Sequence, residues 1–142
     1  MITSTSNAQI KELAKLQKKS RLRDEKGIFL VEGPRMTEEI PAERIEKVYA
    51  SESFAKKNKE FLEKLQAPVE LLTDTVFAYV SDTKTPQGIL AIVKRLNYTM
   101  NDLMQMKNQK APHLVVLDNL QDPGNLGTIF RTAEAAGVTG IL

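Results

Sequence analysis

Several residue types are absent or scarce in this sequence, and each absence removes a class of function. The 142 residues include no cysteine, no tryptophan and a single histidine, His113. Disulfide frameworks, thiolate metal sites and multi-histidine metal sites are therefore excluded, and no metal is expected. No run approaches the roughly 18 consecutive apolar residues that a membrane-spanning helix needs, and no apolar signal region follows the first residues. These features lead us to expect a cytoplasmic protein.

The composition is that of a soluble globular protein, but the charge is unevenly distributed. Hydrophobic residues make up 42% and charged residues 27% of the sequence, as in one domain or in one small domain with part of a second. The net charge is only +2, yet residues 1–26 carry seven basic and three acidic side chains. Such a basic cluster indicates nucleic-acid binding, although a solvated helix face produces the same count.

Three helices are predicted in the first part of the chain. Ser6 and Gln9 have the spacing of a capping box at the start of the first helix, and apolar residues then recur at helical spacing. Ser53 is the predicted N-cap of a second helix that extends to Gln66, before Pro68. A short third helix is predicted over 74–80.

Short apolar runs between these helices predict strands. The predicted strands are 28–31, 45–50, 69–72 and 88–93. Strands that alternate with helices predict an α/β domain over residues 1–96, followed by a polar linker over 97–112. Phe29, Phe61 and Phe77 lie in apolar stripes and are predicted to be core residues rather than base-stacking platforms.

The pattern starts again after the linker. A strand over 113–118, a loop over 119–124, a helix over 125–136 and a strand from residue 138 predict a β-loop-α-β unit. One helix and two strands cannot cover both faces of a parallel sheet. We therefore expect residues 113–142 to be the first part of a larger domain.

The segment around this second helix contains the candidate catalytic residues. Asn125 is the predicted N-cap, and Gly127 leaves the first turn open to close approach by another group. Arg131 lies off the apolar stripe and within reach of the strand end, where ligands bind in α/β sheets. The segment lacks the spacing of a P-loop or a dinucleotide motif. Considered alone, Asn125 is as readily a helix-starting residue, and Arg131 a solvated one.

Taken together, the residues of this segment resemble the first motif of the SpoU family of RNA ribose 2′-O-methyltransferases. The motif is Asn125-x-Gly127-x-x-x-Arg131, with Leu117–Pro123 before it and Thr132–Gly137 after it. The N-terminal part is similar to the substrate-binding domain found in many members, which itself resembles small α/β RNA-binding ribosomal proteins. The segments that carry this second similarity are Ile2-Thr3-Ser4 with Asn7 and Ile10-Lys11, then Phe29-Leu30-Val31-Glu32-Gly33, and then Thr85-Pro86-Gln87-Gly88-Ile89-Leu90-Ala91.

The resemblance implies a reaction and a set of site residues. The implied reaction is methyl transfer from S-adenosylmethionine to a ribose 2′-hydroxyl of ribosomal or transfer RNA, by a homodimer whose catalytic domain is a knotted α/β domain. Asn125 and Arg131 match the catalytic residues of the motif. We expect Arg131 to position the hydroxyl and stabilise the developing alkoxide, because a guanidinium is a poor base.

For RNA binding, the expectation combines the resemblance with the basic cluster. The candidate phosphate contacts are Lys18, Lys19, Arg21, Arg23 and Arg35. The family's later motifs, which form the knot and most of the cofactor pocket, are absent from these 142 residues. No cofactor-binding residue is therefore assigned, and the chain alone is expected to be inactive. The alternative hypothesis is a non-catalytic RNA-binding module or a ribosome-associated protein.

Overall fold

The computed structural model describes residues 1–105 and 111–142, and the chain forms two compact units, Met1–Arg95 and Leu96–Leu142. Residues 106–110, part of the predicted linker, lie outside the described residues. The first unit contains α1 (Ala8–Lys18), α2 (Ser20–Lys26), β1 (Ile28–Glu32), α3 (Pro34–Glu38), a 3-10 turn (Ala42–Arg44), β2 (Ile45–Ser51), α4 (Glu52–Lys57), α5 (Lys59–Lys64), β3 (Val69–Leu72), α6 (Asp74–Val80) and β4 (Ile89–Lys94). The second contains α7 (Met100–Met104), β5 (Leu114–Val115), α8 (Pro123–Ala135) and β6 (Gly140–Ile141).

A four-stranded mixed sheet with the strand order β1-β4-β2-β3 organises the first unit. β4 runs antiparallel to both β1 and β2, and β2 runs parallel to β3. The α/β class is therefore confirmed, and each strand predicted in this unit is found within one residue of its expected ends. No helix among the described residues is both long enough and apolar enough to cross a lipid bilayer.

The core of the first unit has two parts because the sheet is covered on both faces. Side chains alternate between faces along a strand, so Leu90 and Ile92 of β4 join one cluster while Ile89, Ala91 and Val93 join the other. The first cluster includes the apolar faces of α1 and α6, and the second includes residues of α4 and α5. α1 is thereby fixed with its opposite face toward solvent.

The predicted role of the phenylalanines is confirmed. Phe77 is 1% exposed in the first cluster, and Phe29 and Phe61 pack against the second. The Phe61 ring meets Phe54 edge-on, with 5.9 Å between ring centroids. These rings pack in the core and do not form a surface on which bases could stack.

Two predicted helix starts are wrong. The side chain of Asn7, not Ser6, caps α1 by accepting a hydrogen bond from the backbone of Gln9. The helix predicted from Ser53 to Gln66 is two helices, since the backbone leaves the helical region at Asn58 and Ser51 caps α4. Any of several neighbouring Ser and Asn side chains satisfies the capping preference, and tertiary packing selects among them.

Ser53 instead joins two helix starts. Its backbone N–H and hydroxyl donate to the carboxylate of Asp74, the first residue of α6, and these bonds lower the pKa of Asp74 below its usual value. A carboxylate with a lowered folded-state pKa stabilises the fold above its unfolded-state pKa and loses that contribution as the pH falls through the folded value. We therefore expect Asp74→Asn to lower the free energy of unfolding at pH 6, and we expect this loss to shrink as the pH falls below the usual pKa of a carboxyl group.

Chemical denaturation of the wild type and the variant across this pH range measures the effect. Asp82→Asn is the matched control, because Asp82 is exposed and forms no side-chain hydrogen bond within residues 1–95. If Asp74→Asn lowered the free energy of unfolding by the same amount at every pH down to 2.5, the charged Asp74 carboxylate would not be the source of the stabilisation.

Gly88 is required where the loop after α6 enters β4. Its φ is +80°, and a Cβ at this position would lie 2.8 Å from the Cβ of Phe54 and 3.0 Å from the Oγ of Ser51. Both a strained backbone and a steric overlap therefore oppose any side chain here.

We expect Gly88→Ala to cost about 3 kcal/mol of stability, the sum of left-handed backbone strain and overpacking. Gly27→Ala is the matched control, because Gly27 also has a positive φ, +62°, but open space around its Cβ position. It should cost about 1 kcal/mol, from backbone strain alone. Urea denaturation of both variants tests the difference, and equal losses would exclude the steric contribution.

Candidate active site and nucleic-acid interface

In the second unit, β5, α8 and β6 form a parallel β-α-β arrangement. Leu114 pairs with Gly140 and Val115 with Ile141. Backbone hydrogen bonds continue the ladder on both sides, from Thr139 to the carbonyl of His113 and from Leu117 to that of Leu142, each 2.7 Å long. The loop that follows β5 leads into α8 at the carboxyl end of a parallel strand, the position where α/β folds bind ligands.

The start of α8 differs from the prediction. Asp122, not Asn125, is the N-cap: its carboxylate accepts a 2.7 Å hydrogen bond from the backbone N–H of Asn125. Pro123 is the first helical residue, where its fixed φ fits and its missing N–H costs nothing. Asn125 therefore lies within the first turn, with its side chain exposed.

Asn125 and Arg131 lie on one ridge of α8, with Thr128 between them at three-residue spacing. The Arg131 guanidinium donates a 3.2 Å hydrogen bond to the Thr128 hydroxyl, which donates a 3.0 Å bond to the carbonyl of Gly124. One Arg131 Nη atom also lies 3.5 Å from the position that a Cβ on Gly127 would occupy. The guanidinium is thus drawn back along the helix toward its N-terminus, while Arg131 itself stays exposed.

The apolar stripe predicted for α8 is only partly buried. Ala133 is 6% exposed, whereas Phe130 is 50% exposed. Leu126 and Ile129 are intermediate. Phe130 is therefore largely exposed, and among the described residues of the second unit only Ala133 is buried.

Gly140 allows α7 to pack against β6. A Cβ on Gly140 would lie 2.8 Å from the Cδ2 of Leu103 and 3.0 Å from that of Leu114. Leu103 therefore reaches the backbone of β6, and α7 belongs with the second unit.

The candidate RNA contacts at the α1–α2 junction have three different environments. Lys18 ends α1 and Lys19 is the single residue between the two helices; both are exposed. Arg21 is also exposed, but its Nε donates a 2.9 Å hydrogen bond to Glu25 one turn along α2. The two lysines therefore have their charge more freely available than Arg21 does.

Arg23 is bound to the fold itself. Its guanidinium donates hydrogen bonds to the carbonyl oxygens of Leu16 and Gln17, near the C-terminus of α1. These are among the carbonyls that a helix end leaves without an internal partner. Arg23 thus fixes α2 against the end of α1, and this geometry gives it a clear structural role.

Arg35 lies apart from the others along the chain, in α3 beyond β1, and is exposed. It follows Gly33, whose φ of +114° turns the chain and whose carbonyl accepts a hydrogen bond from the buried Thr37 hydroxyl. Before this turn, the Glu32 carboxylate accepts hydrogen bonds from the hydroxyls of Ser81 and Thr83. The loop that contains Ser81 and Thr83 is thus fixed to the end of β1, and Arg35 lies three residues beyond Glu32 in the chain.

Two site features were missed by sequence reasoning, although the sequence contains a signal for one. An aspartate directly before a proline is the expected pattern of a helix N-cap and first residue, which identifies Asp122. The Thr128 contact to Arg131 depends on a side-chain conformation that spacing permits but does not specify.

No group of three or more His, Cys, Asp or Glu side chains within the described ranges is arranged to hold a metal ion.

Both units match known proteins. Residues 7–91 match the family described as the MRM3-like substrate binding domain, and residues 112–142 match the SpoU rRNA methylase family. The chain is 31% identical over 144 residues to 23S rRNA (guanosine(2553)-2′-O)-methyltransferase RlmP of Bacillus subtilis, covering 99% of this chain and 53% of that protein. It is 33% identical over 135 residues to the human mitochondrial rRNA methyltransferase 3, covering 87% of this chain and 30% of that protein.

Solved structures of rRNA methyltransferases also match the chain. An rRNA methyltransferase from Sinorhizobium meliloti superposes with a TM-score of 0.70 at 27% identity, over 99% of this chain and 52% of that one. The AdoMet-bound form of that enzyme gives a TM-score of 0.69 with the same identity and coverage. The two family matches therefore fall on the two units, one on Met1–Arg95 and the other on Leu96–Leu142.

The chain belongs to the MRM3-like substrate binding domain family, whose model matches residues 7–91, and its last 31 residues match the SpoU rRNA methylase family. The resemblance found in the sequence is thereby confirmed. The chain spans about half the length of the Bacillus subtilis relative and of the Sinorhizobium meliloti structure.

The capping assignment in α8 can be tested by two alanine substitutions. Asp122→Ala should destabilise α8 by about 1 kcal/mol, because it leaves a first-turn N–H without its acceptor. Asn125→Ala should leave the helix unchanged or slightly more stable, since alanine is the stronger helix former. Hydrogen exchange of the α8 amides measures both effects. If Asn125→Ala reduced the protection of the α8 amides more than Asp122→Ala does, Asn125 would be the cap.

Proposed function

We propose that this chain supplies the substrate-binding domain and the first catalytic motif of an RNA 2′-O-methyltransferase. The reaction transfers a methyl group from S-adenosylmethionine to a ribose 2′-hydroxyl of ribosomal or transfer RNA. The observation that carries the proposal is the Arg131 guanidinium, held by Thr128 on the ridge that contains Asn125, in a segment matched to the SpoU family.

Arg131 acts on the 2′-oxygen in this proposal. A guanidinium remains charged in water and carries five N–H donors in a planar fork, of which the Thr128 contact uses one. As the hydroxyl loses its proton, negative charge develops on the oxygen, and aligned donors stabilise it. Asn125, in the first turn of the same helix, is the second catalytic residue and can position the ribose through its side-chain amide.

S-adenosylmethionine supplies an electrophilic methyl group when it is bound. The described residues of the second unit do not form an enclosed pocket for it, because Val116, Phe130 and Leu142 are 72%, 50% and 42% exposed. Cofactor sites bury most of their ligand's surface. No residue of this chain is therefore assigned to cofactor binding, and the chain alone is expected to be inactive.

The partner in this proposal is RNA, held in the first unit by phosphate contacts from Lys18, Lys19, Arg21 and Arg35. Arg23 contributes by fixing the junction that presents the two lysines. A homodimer and a cytoplasmic location complete the proposal. The Bacillus subtilis relative comes from a bacterium, whereas the human relative is named as mitochondrial.

A chimera that joins residues 1–142 to the C-terminal half of the Bacillus subtilis relative tests the function. We expect the chimera to transfer label from S-adenosylmethionine to unmodified ribosomal RNA, in 2′-O-methylated nucleotides that resist alkaline cleavage. Arg131→Ala in the chimera should lower kcat by about 100-fold or more, the usual loss when a donor to a developing oxyanion is removed.

Two further variants make the test specific to the guanidinium. Arg131→Lys should also lose most activity, because an ammonium lacks the planar fork, and near-complete turnover would show that the fork is not needed. Glu134→Gln is the control on the same helix and should stay within about twofold of the parent, as surface changes usually do. A folded chimera that binds RNA but transfers no methyl group would favour the non-catalytic RNA-binding module instead.

A further inference from the structure

The exposed face of α1 contains an unusual arrangement of four lysines. We refer to Lys11, Lys15, Lys18 and Lys19 as the α1 lysine ridge; the first three lie in α1 and Lys19 directly follows it. Intervals of four, three and one residues place these positions within about a third of the helix circumference. The buried residues of α1, from Ile10 to Leu16, face the opposite way into the core. All four lysines are exposed.

The ridge is also distinguished by its lack of ion pairs. Within residues 1–95, none of its four ammonium groups lies within 4.0 Å of a carboxylate, whereas most other basic residues near it are paired. The only acidic residue of α1, Glu12, forms a 2.9 Å ion pair with Lys26 of α2. The hydrogen bond that the Lys26 ammonium donates to the Glu12 carboxylate also raises the pKa of Lys26. The carboxylate nearest in sequence to the ridge is thus already neutralised.

Helix stability explains only part of this arrangement. Cations in the last turn interact favourably with the helix dipole, and Lys15 and Lys18 lie there. Lys11 is the fourth residue of α1, close to its N-terminus, where the dipole does not favour a cation. Lysines one turn apart also repel one another, which costs a few tenths of a kcal/mol per pair. A ridge maintained against this repulsion is best explained by an anionic partner.

The spacing of the ridge suits a phosphate backbone. Lys11, Lys15 and Lys19 follow one another at four-residue steps, about 6 Å along the helix axis. A groove of about 500 Å³ between α1 and α2 adjoins the ridge, and its lining includes Lys11, Lys15 and the apolar residues Ala8, Leu16 and Leu22. An extended strand can therefore place successive phosphates on the lysines and a ribose or base face on the apolar lining.

We propose that the α1 lysine ridge binds consecutive phosphates of one RNA strand. The inference rests on the proposed function, because it identifies where the RNA substrate contacts the first unit, and it adds Lys11 and Lys15 to the contacts expected from the sequence. Phosphate contacts position RNA without reading its sequence, so any RNA with a single-stranded segment is a suitable probe.

The test is the salt dependence of RNA binding by the 142-residue chain. The probe is a fluorescein-labelled RNA hairpin with a long single-stranded loop, and the readout is fluorescence anisotropy. Each phosphate contact to a single strand contributes about −0.7 to the slope of log K against log salt concentration. Lys11→Gln/Lys15→Gln should therefore make the slope shallower by about 1.4. The ratio of the wild-type to the variant binding constant should then fall about sevenfold between 50 and 200 mM salt.

The matched control removes the same charge elsewhere. Lys56 and Lys59 are exposed but pair with Glu52 and Glu63, so Lys56→Gln/Lys59→Gln should leave the slope unchanged. Lys11→Arg/Lys15→Arg retains the charge and should retain the slope. Circular dichroism of each variant verifies that α1 is intact.

The outcomes separate this inference from the proposed function. If the wild type binds the hairpin and both double variants show the wild-type slope, the ridge is overturned, while RNA remains the proposed substrate. Equal losses in both double variants show a net-charge effect and also overturn it. A wild-type chain with no affinity for the hairpin even at low salt overturns both the ridge and the RNA-binding part of the proposed function.

Discussion

The burial of β4 on both faces and along both edges is the constraint on which the first unit depends. Ile89 to Val93 are at most 7% exposed, with antiparallel hydrogen bonds to β1 on one side and β2 on the other. A strand buried in this way requires a helical layer on each face, which places α1 and α6 on one face and α4 and α5 on the other. The orientation of α1 follows, and with it the outward direction of its lysines.

Basic residues that are adjacent in sequence have separate roles in the structure. Arg23 satisfies backbone carbonyls at the end of α1, Arg21 pairs with Glu25, and the α1 lysine ridge has no acidic partner within residues 1–95. At the structural position, one Nη atom of Arg23 donates to both carbonyls. Lysine, a compact charge on a flexible stem, suits a surface that follows a phosphate backbone.

The candidate active site rests on a short piece of regular structure. Asp122 and Pro123 determine where α8 begins, and the resulting register places Asn125, Thr128 and Arg131 along one ridge. A helix start shifted by one residue would rotate all three by about 100° relative to β5. Capping therefore has a direct consequence for the candidate site, because it sets the direction in which the Arg131 side chain leaves the helix.

Periodicity, turn residues and motif spacing are local properties, and they were enough to predict the α/β class, the four strands of the first unit and the SpoU motif. Long-range packing selected Asn7, Ser51 and Asp122 as the caps of their helices and divided the helix predicted from Ser53 at Asn58. It also decided that Arg23 is tied to α1. Neighbouring polar side chains compete for the same backbone groups at similar free energy, and packing between distant segments selects the partner.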